Sequence, residues 1–510
     1  MPVGLVYLVG AGPGDPGLVT RHAEAAIRAA DTVVYDHLVH RKILEWIPAN
    51  ARSIYVGKRR GHQEMPQQEI NRLLCDEALQ GRAVVRLKGG DPYVFGRGAE
   101  EAEALAEAGV PFRVIPGVTA GIGALAYAGL AVTHRDHASA VTFVTGHDDP
   151  DSPDCRVDWP WFARFSGTVV VYMGMTRRTR IAQVLIENGK SPSTPVALVE
   201  RGSWPDQKVE TGTLKELADS SRAWRVKAPA LIMIGEVVRL RPQLDWFSRL
   251  PLAGRCILLT RPEDDARRSE SVLENLGAEV LIAPTIRVGP IADRSGLDDA
   301  LGHLASYDWI VWTSANGVRF FFDRLFELGL DLRAVGHAKI AAIGPATSEA
   351  LKRYGLNADV VPATFRSEDL ADALLPHVSG KSVLLARADR GRTVLLDRLE
   401  PVASDVRQVA VYTNEDMPEW PVEIEKVLEE DRVDWVTLTS SAISRRFASL
   451  YAKLRPAEKS GRLKFASISP ITSQAAREAG LEPTVEANQF TMEGLLDAIL
   501  AYERRRSESG

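Results

Sequence analysis

A loop rich in glycine and proline lies near the start of the chain, between an apolar run and a helical pattern. It reads Gly10-Ala11-Gly12-Pro13-Gly14-Asp15-Pro16-Gly17. A dinucleotide fingerprint needs a glycine where Asp15 stands, and Pro13 and Pro16 lack the backbone N–H groups that would cradle a phosphate. The loop therefore argues against a pyrophosphate site and favours close approach of a flat or neutral ligand. A tight strand-to-helix turn without a ligand is the alternative.

The cysteines form neither a metal pattern nor a disulfide pattern. Cys75, Cys155 and Cys256 lie 80 and 101 residues apart, whereas zinc ligands come in closely spaced pairs and disulfide scaffolds carry many cysteines. Isolated thiols are typical of a reducing compartment. We therefore predict no metal site and a cytoplasmic protein.

The composition is that of an ordinary globular protein. At 510 residues the chain exceeds a single hydrophobic core and is expected to form several globular units. Its 45% hydrophobic and 25% charged residues exclude a disordered or collagen-like chain. The formal net charge of −5 disfavours a general nucleic-acid binder but is compatible with a local basic pocket for an acidic small molecule.

Neither a signal peptide nor a membrane partner is predicted. The first residues, MPVGLVYLVGAGPG, lack a basic region and lead directly into a strand-and-turn pattern. Residues 114–133 carry no charge, but they contain Pro116 and several glycines. We expect a closely packed turn and helix there.

Short apolar runs alternate with helical patterns through the first half of the chain. Continuous apolar strands separated by helices predict a parallel sheet covered on both faces. We predict an α/β fold with two lobes, about 1–117 and 136–246, joined by a crossover. From 239 to 255 the periodicity fails and Pro242 and Pro251 break helix, which predicts an interdomain linker.

The second half contains an internal repeat. Three pairs of segments keep an offset of 125 or 126 residues: GRCILLTRPE at 254 with GKSVLLARAD at 380, DWIVWTSANGVRFF at 308 with DWVTLTSSAISRRF at 434, and KIAAIGPATSEALKRYGL at 339 with KFASISPITSQAAREAGL at 464. A solenoid would show many units of about 20 to 50 residues. The pattern therefore predicts one duplication of an α/β lobe, with a cleft for a ligand between the copies.

The first half resembles uroporphyrinogen-III C-methyltransferase over about residues 4 to 246. The motifs that carry the resemblance are VYLVGAGPGDPGLVT at 6, VVYDHLV at 33, VGKR at 56, VVRLKGGDPYVFGRGAEE at 84, VIPGVTAGIGALAYAGLAVTHRD at 114, VTGH at 144, VYMGM at 171 and ALVERGS at 197. The resemblance implies a tetrapyrrole-methylase fold of two α/β lobes with S-adenosylmethionine between them. It also implies methylation of carbons 2 and 7 of uroporphyrinogen III to give precorrin-2.

The same resemblance implies which residues act. The positions that match the family's contacts to S-adenosylmethionine are Pro13, Gly89, Gly90, Asp91, Val94, Thr119, Ala120, Met173 and Gly202. Asp91 would accept hydrogen bonds from the ligand's ammonium or ribose, and Val94 and Met173 would form apolar walls. Methylation of an electron-rich carbon needs alignment and a base more than a nucleophile. The resemblance implies that Asp36 is the proton acceptor and Lys58 the proton donor.

The tetrapyrrole implied by the resemblance is rich in carboxylates, so basic side chains should line its site. Those beside the motifs are Arg86, Arg97, His134, Arg135 and Arg177, with Arg178 next to the last. We predict that they form a rim for the anionic substrate, although each alone also fits a solvated surface charge.

The second half resembles uroporphyrinogen-III synthase over about residues 254 to 503. The matching motifs are ILLTRP at 257, TSANGV at 313, AIGPATSEAL at 342, VAVYTN at 409 and TLTSSA at 437. The family closes hydroxymethylbilane with inversion of ring D. The resemblance implies that Tyr412 is a proton donor at the interlobe hinge and that the substrate carboxylates are held by Ser314, Thr347, Ser440 and Thr472.

Two residues depart from the synthase pattern in the last ligand loop. In SISPIT (467–472), Ser469 stands where the family usually has glycine, and Ile471 where threonine is common. The amide contact expected from this loop depends on whether the backbone tolerates Ser469.

Together the two resemblances imply a bifunctional cytoplasmic enzyme that converts hydroxymethylbilane to uroporphyrinogen III and then to precorrin-2. The predicted domains are a methyltransferase at 1–246, a linker at 247–253 and a synthase at 254–510, with one synthase lobe at about 254–288 plus 414–503 and the other at about 290–411. Because the chain begins at the methylase motif, we expect no oxidation or metal-insertion module.

The expected partners are small-molecule tetrapyrroles, with S-adenosylmethionine as the methyl donor. We expect no nucleic-acid or membrane partner, and a homodimer formed through the methyltransferase half. Two alternatives stay open: a tetrapyrrole methylase of different regiochemistry, and a methyltransferase whose C-terminal half binds tetrapyrroles without catalysis.

Overall fold

The computed structural model describes residues 2–57, 65–390, 393–454 and 462–508. The chain divides into two compact units, Met1–Arg255 with Val272–Glu279 and Cys256–Ser271 with Val280–Gly510. Strands and helices alternate through both units, so the predicted α/β class is confirmed.

The first unit begins with a lobe whose elements alternate regularly. They are β1 (Val6–Gly10), α1 (Arg21–Arg28), β2 (Thr32–Tyr35), α2 (Arg41–Leu44), β3 (Arg52–Tyr55), α3 (Gln67–Leu79), β4 (Val84–Lys88), α4 (Gly98–Glu107), β5 (Phe112–Ile115) and α5 (Ala120–Tyr127). The strand order is β3-β2-β4-β1-β5, and every pair is parallel. Alternate residues of β4 enter separate apolar clusters, Val84 on one face and Val85 and Leu87 on the other. The predicted parallel sheet covered on both faces is confirmed here.

The second lobe of this unit has a mixed sheet. Its elements are β6 (Val141–Thr145), α6 (Trp159–Arg164), β7 (Thr168–Tyr172), α7 (Arg178–Glu187), β8 (Pro195–Glu200), β9 (Lys208–Thr213), α8 (Leu214–Ala218), β10 (Ala230–Ile234) and α9 (Arg241–Leu244). The order is β6-β7-β10-β8-β9, in which only β6 and β7 pair in parallel. The prediction of a parallel sheet is wrong for this lobe. Its central strands are apolar because both faces are covered, and that burial carries no information about strand direction.

Two segments singled out in the sequence have defined structures. The uncharged stretch 114–133 contains the turn before α5 and α5 itself, as predicted. The predicted linker, by contrast, contains the short helix α9, because Pro242 stands in its first turn, where no intrahelical N–H is needed. The following Phe247 is buried, with its ring centroid 5.1 Å from that of Tyr127. The residues up to Phe247 therefore belong to the packed unit.

Within the part of the chain that the structure describes, every helix is too short or too polar to span a bilayer.

The second unit is built from two similar sheets. Its elements are β11 (Cys256–Leu259), α10 (Glu263–Asn275), β12 (Glu279–Ile282), β13 (Ile286–Gly289), α11 (Ser295–Gly302), β14 (Trp309–Trp312), α12 (Ala315–Glu327), β15 (Lys339–Ala342), α13 (Pro345–Lys352), α14 (Ser367–Leu374), β16 (Ser382–Ala388), α15 (Val394–Leu399), β17 (Asp405–Asp416), α16 (Val422–Glu429), β18 (Trp435–Leu438), α17 (Ser441–Tyr451), β19 (Lys464–Ser467), α18 (Pro470–Glu478), β20 (Pro483–Glu486) and α19 (Met492–Glu508). The strand orders are β12-β11-β18-β19-β20 and β13-β17-β16-β14-β15.

The predicted duplication is visible in these strand orders. When the two copies are aligned with the offset of about 125 residues, β11, β18 and β19 correspond to β16, β14 and β15. In each sheet these three strands are neighbours and run parallel. On the side away from β18, β19 pairs with β20. The corresponding side of β15 has a single bridge, from Ala341 to Val360. The two lobes are therefore copies of one strand plan.

A two-stranded ribbon leads from one lobe to the other. The end of β17 leaves its parallel pairing with β16 and pairs antiparallel with β13, where Val288 faces Asn414 and Gly289 faces Thr413. Tyr412 is the last residue of β17 that pairs with β16. It therefore lies where the second lobe meets the ribbon, as predicted.

Candidate functional site

Three glycine loops meet at the carboxyl ends of β1, β4 and β5. Gly12 and Gly90 exchange backbone hydrogen bonds, with N–O distances of 3.1 and 2.7 Å. A Cβ on Gly117 would collide with the carbonyl oxygen of Gly90 and with Gly10. The loops approach this closely only because side chains are absent at these positions.

Asp91 joins two of these loops. Its carboxylate accepts hydrogen bonds from the backbone N–H groups of Tyr93 (2.8 Å) and Gly117 (3.0 Å). A carboxylate oxygen has further lone pairs, so a ligand donor can still bind there. Asp91 thus fixes the loop as well as offering the predicted contact.

Tyr172 connects the second lobe to this site and was not predicted. Its hydroxyl lies 2.7 Å from Thr119 Oγ1 and accepts a hydrogen bond from Gly121 N, so β7 is tied to the start of α5. Val94 and Ala120 pack on the apolar cluster that contains Tyr172. Met173 follows directly, half exposed and with a positive φ of 55°. The signal in the sequence was a tyrosine that ends an apolar strand just before a motif methionine.

The β8–β9 loop completes the site from the other side. Trp204 Nε1 donates to the carbonyl oxygen of Pro13 at 3.1 Å, and Ser203 Oγ accepts from Asp15 N at 3.1 Å. A Cβ on Gly202 would collide with Ala124 of α5. The structure therefore brings together the loops that carry all the predicted S-adenosylmethionine contacts.

His40 packs against the same loop. Its ring centroid lies 4.4 Å from that of Trp204, and its Nδ1 accepts from Lys42 N at the start of α2. Burial, reinforced by the charges of Lys42 and Arg41, lowers the pKa of His40 to about 4. His40 is therefore neutral at pH 7.

Asp36 lies beside a buried group of charges. Asp36 Oδ1 accepts from Leu38 N at 3.0 Å, and Asp36 Oδ2 lies 3.5 Å from Arg86 Nη2. Glu101 Oε1 is 3.1 Å from Arg86 Nε and 2.8 Å from Lys88 Nζ. Burial, followed by the charge of Arg86, lowers the pKa of Lys88.

Arg86 does not fit the predicted rim. The residue is 4% exposed, and its guanidinium is held by Glu101, Asp36 and the carbonyl oxygens of Val34 and Leu87. The prediction that Arg86 contacts the substrate directly is therefore corrected, because its guanidinium is buried and bound to Glu101, Asp36 and backbone carbonyl groups. Lys58, the predicted proton donor, lies outside the described residues.

The other predicted rim residues lie in separate loops with local contacts. Arg97 pairs with Glu100, and Arg177 Nη1 lies 2.9 Å from Asp149 Oδ2. His134 Nδ1 accepts from Asp136 N, and Arg135 is exposed. None of these contacts joins them to each other.

In the second unit, the predicted carboxylate contacts lie at helix N-termini that follow parallel strands. Ser314 Oγ accepts from Gly317 N at 2.9 Å and so caps α12, and Ser440 Oγ accepts from Ile443 N at 3.2 Å and caps α17. Backbone N–H groups in the first turn of a helix suit an anion. Each serine thus caps a helix N-terminus of the kind that suits an anion, one in each lobe.

Thr347 and Thr472 lie in the first turns of α13 and α18. Both are 3% exposed, and the Thr472 hydroxyl lies 3.0 Å from that of Ser469. The contact of these two threonines with a substrate carboxylate stays a prediction. Ser469 itself is extended, with a φ of −163°, and its side chain caps α18. The backbone therefore tolerates serine where the synthase pattern has glycine.

Tyr412 is buried with its hydroxyl next to Ser314. The two oxygens are 3.0 Å apart, and the ring of Phe320 stacks on Tyr412 with an interplanar angle of 15°. Burial raises the pKa of Tyr412. The hydroxyl therefore keeps its proton at pH 7.

No three His, Cys, Asp or Glu side chains among the described residues are arranged to hold a metal ion.

Comparison with known proteins identifies the family. The family Tetrapyrrole (Corrin/Porphyrin) Methylases matches residues 5–218, and the family Uroporphyrinogen-III synthase HemD matches residues 268–497. The porphyrin biosynthesis protein HemD of Ruminiclostridium josui is 35% identical over 501 residues, which is 98% of each chain. The chain belongs to the family that joins a tetrapyrrole methylase to a uroporphyrinogen-III synthase. The predicted fusion and the bifunctional role in tetrapyrrole synthesis are thereby confirmed.

Other relatives match the methylase half alone. The S-adenosyl-L-methionine-dependent uroporphyrinogen III methyltransferase of Methanosarcina barkeri is 50% identical over 237 residues, 46% of this chain and 93% of that protein. The structure of uroporphyrin III C-methyl transferase from Thermus thermophilus is 42% identical and covers 46% of this chain and 94% of that chain, with a TM-score of 0.40. The chain spans about half the length of the siroheme synthases it matches, such as one from Aeromonas hydrophila.

Proposed function

We propose that this methylase–synthase chain performs two consecutive steps of tetrapyrrole synthesis. The C-terminal half closes hydroxymethylbilane to uroporphyrinogen III. The N-terminal half then transfers two methyl groups from S-adenosylmethionine to carbons 2 and 7, which gives precorrin-2. Family membership and the 50% identity to an S-adenosyl-L-methionine-dependent uroporphyrinogen III methyltransferase support this assignment.

The convergence of loops around Gly90 and Met173 carries the methyltransferase assignment. Pro13 follows β1, Gly90 and Asp91 follow β4, and Thr119 follows β5 in the first lobe, whereas Met173 comes from the second lobe. Their contacts give an open backbone surface, a carboxylate and an exposed thioether side chain. That set suits a ligand with an adenine ring, an ammonium group and an apolar methionine chain.

Methyl transfer needs little chemistry from the protein. A pyrrole carbon forms a bond to the methyl group while the carbon–sulfur bond breaks and the electron pair stays on sulfur. The methylated macrocycle then loses a proton to Asp36, which is held by Arg86 and by Leu38 N. The protein contributes alignment and a fixed base.

In the synthase half, Tyr412 supplies the proton for the first step. Its proton passes to the leaving hydroxyl, the carbon–oxygen bond breaks, and water departs to leave an azafulvene cation. The cation closes through a spiro intermediate that inverts ring D, and the macrocycle finally returns a proton. The carboxylates are held by the helix ends capped by Ser314 and Ser440.

We further propose a cytoplasmic homodimer assembled through the methyltransferase half. Trp161 and Trp246 of that half are about half exposed, and a second copy would cover such apolar surface. The division into a methyltransferase at 1–246, a connecting segment at 247–253 and a synthase at 254–510 belongs to the same proposal, with Phe247 of the connecting segment packed on the methyltransferase half, and we propose no nucleic-acid or membrane partner.

Variants of the loop after β4 test the assignment. Gly89→Val would press a side chain against Leu38, and Asp91→Ala would release Gly117 N from its acceptor. Each should abolish S-adenosylmethionine binding, measured by calorimetry, while uroporphyrinogen III formation from hydroxymethylbilane stays near normal. Full methylation by the Gly89→Val variant would show that this loop does not hold the methyl donor.

A further inference from the structure

Asp36, Arg86, Lys88 and Glu101 form a charged cluster, called here the Asp36 cluster, on one face of the first sheet. Val34 of β2 is paired in register with Arg86 of β4. Successive strand residues alternate between faces, so Val34, Arg86 and Lys88 share one face, and Asp36, just past the end of β2, reaches it through the 3.5 Å contact of its Oδ2 with Arg86 Nη2. Glu101 reaches this face from α4.

Glu101 is the centre of the cluster. The residue is fully buried, and its Oε1 accepts from Lys88 Nζ (2.8 Å), Arg86 Nε (3.1 Å) and Gln67 Nε2 (3.1 Å). Its Oε2 has no hydrogen-bond partner among the described residues. A buried carboxylate held on one side in this way depends on the two cations for its stability.

The guanidinium of Arg86 has little freedom to turn. Arg86 Nη1 donates to the carbonyl oxygens of Leu87 at 3.1 Å and Val34 at 3.4 Å, while Arg86 Nε faces Glu101. These contacts leave Nη2 to face Asp36 Oδ2 at 3.5 Å. The position of the Asp36 carboxylate is therefore linked to Glu101 through one rigid side chain.

We propose that Glu101 is a positioning residue for Asp36 and acts through Arg86, and that Lys88 sets how strongly Glu101 draws Arg86 away from Asp36. The inference rests on the proposed role of Asp36 as proton acceptor. With all four groups charged, the cluster is neutral. Loss of the charge of Glu101, Lys88 or Arg86 leaves a net charge beside Asp36.

The first lobe offers a matched control in Glu77. This carboxylate is also buried, accepts from Thr32 Oγ1 at 2.8 Å and pairs with Arg52 and Arg82. Like Glu101, it is a carboxylate on a helix of the first lobe that pairs with two cations, but its contacts do not include Asp36 or Arg86. A general need for a buried ionic group would affect both sites alike.

The test is the pH dependence of methylation at saturating substrate. The charged groups that face Asp36 from the described residues are Arg86 and Lys88 of β4, with Glu101 of α4 behind them. Glu101→Gln leaves excess positive charge beside Asp36, which favours its ionised form. The acid limb of the pH profile, where the methylation rate falls with decreasing pH, should move to lower pH by about half a unit to one unit. The limiting rate should fall by about 3- to 30-fold.

Lys88→Met should act in the opposite direction. Without Lys88, Glu101 draws Arg86 towards itself, the ionised form of Asp36 loses support, and the acid limb moves to higher pH. The affinity for S-adenosylmethionine should change by less than about twofold in both variants. Glu77→Gln should leave the acid limb in place. If Glu101→Gln does not fold, the test uses Lys88→Met and the milder Gln67→Leu. Gln67→Leu should shift the acid limb in the same direction as Lys88→Met, because Gln67 also donates to Glu101.

The Asp36→Asn background separates this inference from the proposed function. If Asp36 is the acceptor, Asp36→Asn methylates slowly, and adding Glu101→Gln changes the residual rate by less than about twofold. An equal effect of Glu101→Gln in both backgrounds, shifts of the same sign in Glu101→Gln and Lys88→Met, or an equal shift in Glu77→Gln would overturn the positioning role. Wild-type rate and pH profile in Asp36→Asn alone would instead remove Asp36 as the acceptor.

Discussion

Asp36 and Tyr412 stand at comparable places in different folds, each where a parallel strand ends its regular pairing. The side chains differ in what surrounds them. Asp36 faces a cation and a backbone N–H, which stabilise a carboxylate, whereas Tyr412 is buried against a hydroxyl and an aromatic ring. The first environment suits a proton acceptor and the second a proton donor.

Tyr412→Phe tests the donor role. The ring and its stacking on Phe320 remain, so binding should change little, but the leaving hydroxyl loses its proton source. Formation of type III uroporphyrinogen should slow by about 10- to 1000-fold, and the spontaneously formed type I isomer should accumulate. Separation of the isomers by chromatography measures both.

Tyr354 provides the control for that variant. It is a partly buried tyrosine of the same lobe, and its ring stacks on Phe322. Tyr354→Phe should leave the isomer ratio unchanged. Undiminished type III formation in Tyr412→Phe would remove Tyr412 from the mechanism.

His40 makes stability depend on pH. Its pKa is about 4 in the folded state, whereas a fully solvated histidine has a pKa of 6.5, so between these values the unfolded chain binds a proton that the folded chain does not. Stability should therefore be complete above pH 6.5 and fall as the pH drops towards 4, by up to about 3 kcal/mol.

Urea unfolding at about pH 7 and about pH 4.5 measures this difference. His40→Asn keeps a side chain that can cap α2 but removes the titration, so its unfolding free energy should change less with pH than that of the wild type. His22→Asn, at an exposed position of α1, should behave like the wild type. An unchanged pH dependence in His40→Asn would contradict the assignment.

At the scale of elements, the loops at the carboxyl ends of β1, β4 and β5 depend on contact between backbones. Gly117→Ala would place a methyl group against the carbonyl oxygen of Gly90, so the loops must separate. We expect kcat/KM for methylation to fall by about 100-fold, the effect of a displacement of about 1 Å.

Gly109→Ala is the control for Gly117→Ala. Gly109 has a φ of 67° and open space around its Cβ position, so alanine costs about 1 kcal/mol of backbone strain without a collision. Its kcat/KM for methylation, measured in the same assay as that of Gly117→Ala, should match that of the wild type. Equal losses in both variants would show that folding, and not the loop contact, is being measured.

The sequence was informative where a pattern reflects one physical cause. Apolar strands and glycine loops predicted the first sheet and its ligand loops, and the offset of 125 or 126 residues predicted the duplicated lobes. The direction of β10 could not be predicted, because burial on both faces gives the same composition in either direction.

Contacts between distant residues were also hidden in the sequence. An arginine in a strand looks the same whether it meets substrate or a buried Glu101 on a later helix, so Arg86 was placed on the rim. Tyr172 was missed for the same reason, because its partners Thr119 and Gly121 lie about 50 residues earlier.

At the scale of the whole molecule, each unit carries its own sheets and apolar clusters. The clusters around Val84 and Val171 draw only on the first unit, and those around Trp312 and Leu258 only on the second. Separate cores allow each unit to support its own site.

Product analysis with hydroxymethylbilane tests the central claim most directly. The purified chain should give type III uroporphyrinogen when S-adenosylmethionine is absent. When it is present, the product should gain two methyl groups and have the mass of precorrin-2. Formation of the type I isomer alone would contradict the synthase assignment, and a type III product that gains no methyl groups would contradict the methyltransferase assignment.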